Sequence, residues 1–166
     1  MSERRADPAM PAPAGDTAIG IRPLQRTDLG ALLALYRHLH RADTPPADET
    51  FTSHVWDEIC ADSRQRVFGG HAGNELVAAC TLVVVPNLTR GCRPYGVIEN
   101  VVTDPAHRRR GHGKALIAHA LAHAWSVRCY KVMLLTGRKD EAIARFYTAA
   151  GFDAGDKQGF VARPPG

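Results

Sequence analysis

The sequence predicts a mixed α/β domain. Three observations carry that reading: two stretches of helical period come first, strand-like apolar runs follow from Arg66, and strands alternate with helices from Tyr95 onward. A chain of 166 residues suffices for one well-buried core, and nothing past residue 16 reads as a linker or a repeat. One domain over residues 17–166 is therefore expected. The Pro/Ala/charged stretch 1–16 lacks an apolar signal core and reads as a disordered leader.

Thr17–Leu24 alternates like a short strand. In the segment that follows, Leu29, Leu32, Leu33, Tyr36 and Leu39 fall at helical spacing, with Asp28 placed to cap the start. Pro45 and Pro46 stop that helix, and a second is expected over Glu49–Ala61 with Phe51, Val55, Trp56 and Ile59 on its apolar side. Arg66–His71 and Glu75–Pro86, separated by Ala72-Gly73-Asn74, read as a hairpin. Tyr95–Thr103 is nearly continuously apolar, the pattern of a strand covered on both faces. A helix over Gly111–Val127, a strand over Lys131–Thr136, a helix over Asp140–Gly151 closed by glycine, and a last strand at Gly159–Arg163 complete the order.

Composition narrows the function classes. The net charge is +4, and only Lys114, Lys131, Lys139 and Lys157 among 21 cations are lysines. Arginine's planar fork suits phosphates and carboxylates, so anionic ligands are plausible. The cysteines, Cys60, Cys80, Cys92 and Cys129, form no CxxC pair and read as reduced thiols of a cytoplasmic protein. No apolar run reaches the ~18 residues of a membrane span. Asn87-Leu88-Thr89 matches a glycosylation sequon, which carries no meaning without a secretory signal.

The chemistry concentrates in "HRRRGHGK", His107–Lys114. A buried strand ends at Thr103, Asp104-Pro105 turn the chain, and Gly111-His112-Gly113 open a helix. Glycines there let the backbone approach a ligand, and the free N–H groups of a helix start make an anion site. Duplex readers spread basic residues along a face; these converge on one turn, which fits a pyrophosphate better.

The stretch "VVTDPAHRRRGHGKALI" resembles the coenzyme A signature of the GNAT superfamily of N-acetyltransferases, Arg/Gln-x-x-Gly-x-Gly/Ala, here Arg108-Arg109-Arg110-Gly111-His112-Gly113. The downstream "ARFYTAAGF" resembles that family's aromatic-Tyr-x-x-x-Gly-Phe motif, and the resemblance spans about residues 70–161. It implies a mixed, mostly antiparallel sheet splayed between its fourth and fifth strands and flanked by helices. It also implies acetyl-CoA as co-substrate. The amides of Arg109, Arg110, Gly111, His112, Gly113 and Lys114 would then cradle the pyrophosphate, with Arg108 and Lys114 adding charge. Main-chain groups of Val101, Val102 and Thr103 would pair with the pantetheine arm, and the Val101 amide would donate to the thioester carbonyl.

Two side chains are expected to do acid–base work. Glu99 occupies the position of the family's general base, acting directly or through water. A carboxylate within Val and Ile is costly to bury without purpose, though pairing with an arginine is the structural alternative. Tyr147 matches the family tyrosine beside the coenzyme sulfur and would protonate the departing thiolate; otherwise it is a core aromatic sharing a face with Ile143 and Phe146. Many members carry Asn where this chain has Asp140, which either meets the pantetheine region or caps the helix.

The acceptor is less defined. The motifs are similar to those of glucosamine-6-phosphate N-acetyltransferases, except that the position of Asn100 is usually acidic there. Asn87, Arg90 and Arg93 either face an anionic small acceptor or are solvated loop residues; Asn100 is a further acceptor-side candidate. A small amine such as an amino sugar or amino-acid derivative is expected, with a protein N-terminus or lysine next and a cationic aminoglycoside third. A non-catalytic acyl-CoA-binding module is the remaining alternative. His119 and His123 have ligand spacing but no HExxH glutamate or third ligand, so no metal is expected. His38 and His40 complement the end of the first helix. No nucleophile elbow is present, so attack in a ternary complex is expected rather than a covalent enzyme intermediate. Neither nucleic acid nor membrane is an expected partner, and a homodimer fits the family's habits.

Overall fold

The computed structural model describes residues 19–39 and 46–164. The leader, His40 and the first residues of the strand predicted from Thr17 lie outside them. Five strands form one sheet in sequence order: β1 (Gly20–Pro23), β2 (Gln65–Ala72), β3 (Glu75–Val85), β4 (Tyr95–Thr103) and β5 (Val132–Leu134). Neighbours are antiparallel except β4 and β5, which are parallel. Parallel neighbours need a crossover, supplied by the helix α4 (His112–Ser126). Helices α1 (Leu29–Tyr36) and α2 (Glu49–Ala61) precede β2, a single turn α3 (Thr89–Cys92) joins β3 to β4, and α5 (Glu141–Ala149) follows β5.

The apolar periods explain the layers. Phe68, Cys80, Leu82 and Ile98 on one sheet face pack with Leu116, Ile117 and Ala120 of α4. Val67, Ala79 and Val102 on the other face pack with Leu32, Leu35 and Trp56 of α1 and α2. The sheet is therefore covered on both sides, as the continuous apolar run of β4 predicts. The β2–β3 hairpin closes on two residues, Gly73 (φ 61°) and Asn74. Its first central position needs a left-handed residue, which glycine supplies without strain.

Two expectations are corrected. Asp28 does not cap α1 with its side chain: it lies in the 3-10 turn Arg26–Asp28, accepts from the Gln25 amide at 2.7 Å and pairs with Arg22 at 2.7 Å. Residues 159–163 form no strand, and Phe160 and Val161 are 84% and 66% exposed. A Cβ on Gly159 would lie 2.7 Å from Leu135 Cδ2, so the segment passes the end of β5 without entering a ladder. β5 is the outer strand of the sheet but spans only Val132–Leu134, a short edge for that apolar segment to pair with.

The Arg22 hydrogen bond holds the Asp28 carboxyl at about 2, against an ordinary 3.8, with burial opposing. A depressed carboxyl stabilises the fold above its unfolded pKa and loses that contribution as pH falls through the folded value. The stability gap between the parent chain and Asp28→Asn should thus be fully developed above about pH 4 and shrink as pH falls to and below about 2. Urea midpoints across that range check it.

Candidate active site

The site follows from where the β4–β5 ladder stops. Register pairs run Gly96↔Val132, Val97↔Met133 and Ile98↔Leu134, and no further. At the closed end the strands are tight: a Cβ on Gly96 would lie 3.0 Å from Val132 Cγ2. Beyond Ile98, β4 continues to Thr103 with only β3 as partner. The edge of Glu99–Thr103 that faces β5 is thereby left open, the splay the resemblance implies.

β4 is also bulged. Ala79 faces Val102 and Thr81 faces Glu99, so Asn100 and Val101 together oppose Cys80. Asn100 takes φ 53°, the left-handed region. The extra residue reverses the alternation: Ile98 lies in the α4-side core and Val102 in the α1-side core, where an unbulged strand would put both on one face. Glu99 shares Thr81's register and hence the α1 side. It is exposed rather than buried, because the missing ladder opens the strand around it, and it makes none of the ion pairs found among the described residues. The arginine-paired alternative is thus not what the structure shows.

The loop after β4 is built by local bonds. The Asp104 carboxylate accepts from the Ala106 amide at 2.8 Å and caps the 3-10 turn Pro105–His107. Arg108 folds back, its Nε donating to the Thr103 carbonyl at 3.1 Å. Arg109 (φ 61°) and Gly111 (φ 83°) are left-handed, and α4 starts at His112. The first helical bond runs from Ala115 N–H to the Gly111 carbonyl at 3.0 Å; no amide from Arg109 to Lys114 donates to a backbone carbonyl among the described residues. Those are the free donors of a helix start, gathered on one turn. Gly113 fixes the turn's place: its Cβ would lie 3.3 Å from both Phe146 Cζ and Thr103 Oγ1. The His112 side chain is turned inward and buried, while Arg109, Arg110 and Lys114 are exposed.

Tyr147 projects from α5 between Phe146 and Phe152, edge to face at ring distances of 5.0 and 6.0 Å. Burial pushes its phenol above the ordinary 10.0; Arg138 opposes, and the charges of Cys80 and Glu99 add to the rise. Asp140 is the N-cap of α5: one oxygen accepts from Ile143 N–H at 3.0 Å and the other from Arg138 Nε at 3.2 Å. The backbone bond is the main cause of its lowered pKa.

Asn87, Arg90 and Arg93 sit at the other end of β4. From Tyr95 to Glu99 is roughly 13 Å of strand at ~3.3 Å per residue. The Asn87 amide donates to the Thr89 and Arg93 carbonyls at 2.8 and 3.2 Å, and Arg93 to those of Arg128 and Cys129 at 3.4 Å each. Arg90 lies over the Tyr130 ring at 5.9 Å. These side chains order the β3–β4 connection, and the structure does not bring them to Glu99. His119 and His123 pack on Phe68 at 5.0 and 5.5 Å, and the described residues hold no cluster of three metal-ligating side chains. His38 instead reaches the loop after β4, 3.4 Å from Asp104. Sequence reasoning passed over Tyr36 as a site candidate; it ends α1, partly buried against the core cluster that includes Ala79 and Val102.

The acetyltransferase (GNAT) family profile matches residues 32–152. The chain belongs to the GNAT family. It is 35% identical over 144 residues to a glucosamine 6-phosphate N-acetyltransferase of Trypanosoma brucei brucei, covering 83% of this chain and 91% of the relative. A rice (Oryza sativa subsp. japonica) glucosamine 6-phosphate N-acetyltransferase is 32% identical over 144 residues, 81% of each chain. A solved structure from Agrobacterium tumefaciens str. C58, provisionally described as an acetyltransferase, is 42% identical with a TM-score of 0.82, covering 87% of this chain and 99% of that one. The GNAT chain is an acetyl-CoA-dependent N-acetyltransferase, and its free loop amides fit the pyrophosphate of that co-substrate.

Proposed function

We propose that the enzyme acetylates the amine of a small phosphorylated amino sugar, of the glucosamine 6-phosphate class, by direct attack on acetyl-CoA. The names of the two relatives support the acceptor class. One observation supports the mechanism above others: Glu99 stands exposed, with no ion pair among the described residues, where β4 loses its parallel neighbour.

The pyrophosphate is held by the amides of residues 109–114, and the pantetheine amides meet the open backbone of Val101–Thr103. Acetyl-CoA supplies the activated acyl carbonyl. Glu99, directly or through one water, takes a proton from the acceptor ammonium so that the free amine attacks the thioester carbon. The Val101 amide donates to the carbonyl oxygen as charge develops there. The C–S bond then breaks, Tyr147 O–H gives its proton to the departing thiolate, and the second proton of the attacking nitrogen is lost through solvent, which restores the phenol. Asp140 contributes by capping α5 and so holding Tyr147 in place.

A panel of glucosamine 6-phosphate, glucosamine, amino acids, N-terminal peptides, lysine peptides and an aminoglycoside, followed by CoA release, tests the acceptor. Glucosamine 6-phosphate should exceed glucosamine in kcat/KM by about 10²-fold, the worth of a well-made charged contact. Equal rates would remove the phosphate from recognition, and saturable acetyl-CoA binding without turnover of any amine would favour a binding module.

The free thiols support a cytoplasmic setting. The exposed Leu135, Phe160 and Val161 at the end of β5 support a homodimer over that edge, which light scattering measures.

A further inference from the structure

The two working ends of the acetyl-CoA site belong to different elements. The free amides gather at the start of α4 and Tyr147 comes from α5, and no backbone hydrogen bond joins these helices among the described residues. One side chain bridges them. A Cβ built on Gly113 would lie 3.3 Å from Phe146 Cζ and 3.4 Å from its Cε2, so the edge of that ring rests against the bare glycine. The same ring meets Tyr147 edge to face, with centroids 5.0 Å apart and planes at 65°. Phe152 makes the second ring contact of Tyr147, at 6.0 Å and 80°. Phe146 and Phe152 both pack on the core shared with α4, which anchors these two neighbours of the phenol ring.

Glycine at position 113 has a packing reason. It lies in the first turn of α4, and its φ is not in the left-handed region. Alanine would therefore suit the backbone and favour the helix. What excludes a side chain is space, taken by Phe146 and by the Thr103 hydroxyl, also 3.3 Å from the built Cβ. Close-packed groups pass on small displacements, so the place of the first turn of α4 is handed through the ring to Tyr147. Coenzyme A carries its pyrophosphate and its sulfur on one covalent arm. A site that grips the first must hold its acid at the matching distance. We infer that Phe146 is a positioning residue for acetyl transfer: wedged between Gly113 and Tyr147, its ring sets the distance from the phosphate-receiving turn to the phenol. This rests on the roles given above to that turn and to Tyr147. Phe146 acts through the phenol and moves no proton itself.

Two double-mutant cycles test the inference, with kcat read as CoA release at saturating acetyl-CoA. The acceptor is glucosamine 6-phosphate or, if it is not turned over, the best amine of the panel above. Phe146→Leu removes the ring edge and should lower kcat about ten-fold, since sub-ångström misplacement is costly in a transition state. Its acetyl-CoA Kd by calorimetry should stay within about two-fold of the parent's. Gly113→Ala pushes the ring by a few tenths of an ångström and should lower kcat about three-fold. In the first cycle, Gly113→Ala added to Phe146→Leu should cost nothing further, because the atom it meets is gone. In the second, Phe146→Leu added to Tyr147→Phe should also cost nothing further, because the proton it aims is absent. A role in packing alone would lower kcat equally in both backgrounds, and that result overturns the inference. Full kcat in Phe146→Leu or in Gly113→Ala overturns it too. Should Phe146→Leu fail to fold, Phe146→Met takes its place with the same expectation. Tyr147→Phe at the full rate removes the acid reading and this inference with it, whereas a slow Tyr147→Phe beside a fast Phe146→Leu removes the inference alone.

Discussion

Gly111→Val should abolish acetyl-CoA binding, whereas Arg109→Ala should weaken it only several-fold. Gly111 sits at φ 83° and is the N-cap of α4. A left-handed L-residue costs roughly 1–2 kcal/mol, more when β-branched. Strain is the smaller part of the expected loss. A Cβ at Gly111 meets no atom within 4 Å, so valine would project into open space on the turn whose amides are free to receive a phosphate. Relief of strain by unwinding that turn would scatter the same amides. Arg109, by contrast, is exposed and contributes its backbone, which alanine keeps. Isothermal titration with acetyl-CoA, alongside thermal melts to confirm folding, gives both numbers. If the arginine substitution proves the worse, side-chain charge rather than backbone geometry governs the loop.

Tyr147→Phe should cut kcat by about 10²-fold, within the usual worth of a positioned acid, while leaving acetyl-CoA affinity nearly intact. The ring stays, so its packing on Phe146 and Phe152 survives and only the proton is lost. The pH profile gives a sharper signature. The phenol's pKa is raised above 10.0, mainly by burial. A general acid works in its protonated form, so Tyr147 imposes no fall in kcat until pH rises through that raised value. The parent enzyme should show this alkaline limb beyond the ordinary tyrosine range, and Tyr147→Phe should lack it. A full rate in Tyr147→Phe would remove the phenol from the reaction.

Much of this site is legible in the sequence, for physical reasons. The Gly111-His112-Gly113 turn announces itself because glycine pairs at a strand-to-helix junction have few other uses. Asp140 is readable as a cap because its carboxylate serves the amide three residues on. Residues 159–163 carried a strand's pattern and made none, since a strand also needs a free edge of matching length, a property of the whole sheet. The bulge left only a faint trace, the pair Glu99-Asn100 inside an apolar run, and the faces of Ile98 and Val102 are decided by ladder register rather than by composition. Arg90 and Arg93 looked available for an anion because a sequence does not show that nearby carbonyls and Tyr130 already occupy them.

The unfinished β4–β5 ladder also bears on the enzyme's survival. Backbone groups at an open sheet edge lack the partners that hold a closed ladder, and such regions lie toward the low-stability end of a fold. A ligand that inserts its own amides there closes the gap as a strand would. Ligand bound only to the native state adds RT ln(1 + [L]/Kd) to stability, about 2.7 kcal/mol at a hundred-fold excess over Kd. Acetyl-CoA bound to the folded chain alone would therefore stabilise it by an amount set by the ratio of its concentration to Kd.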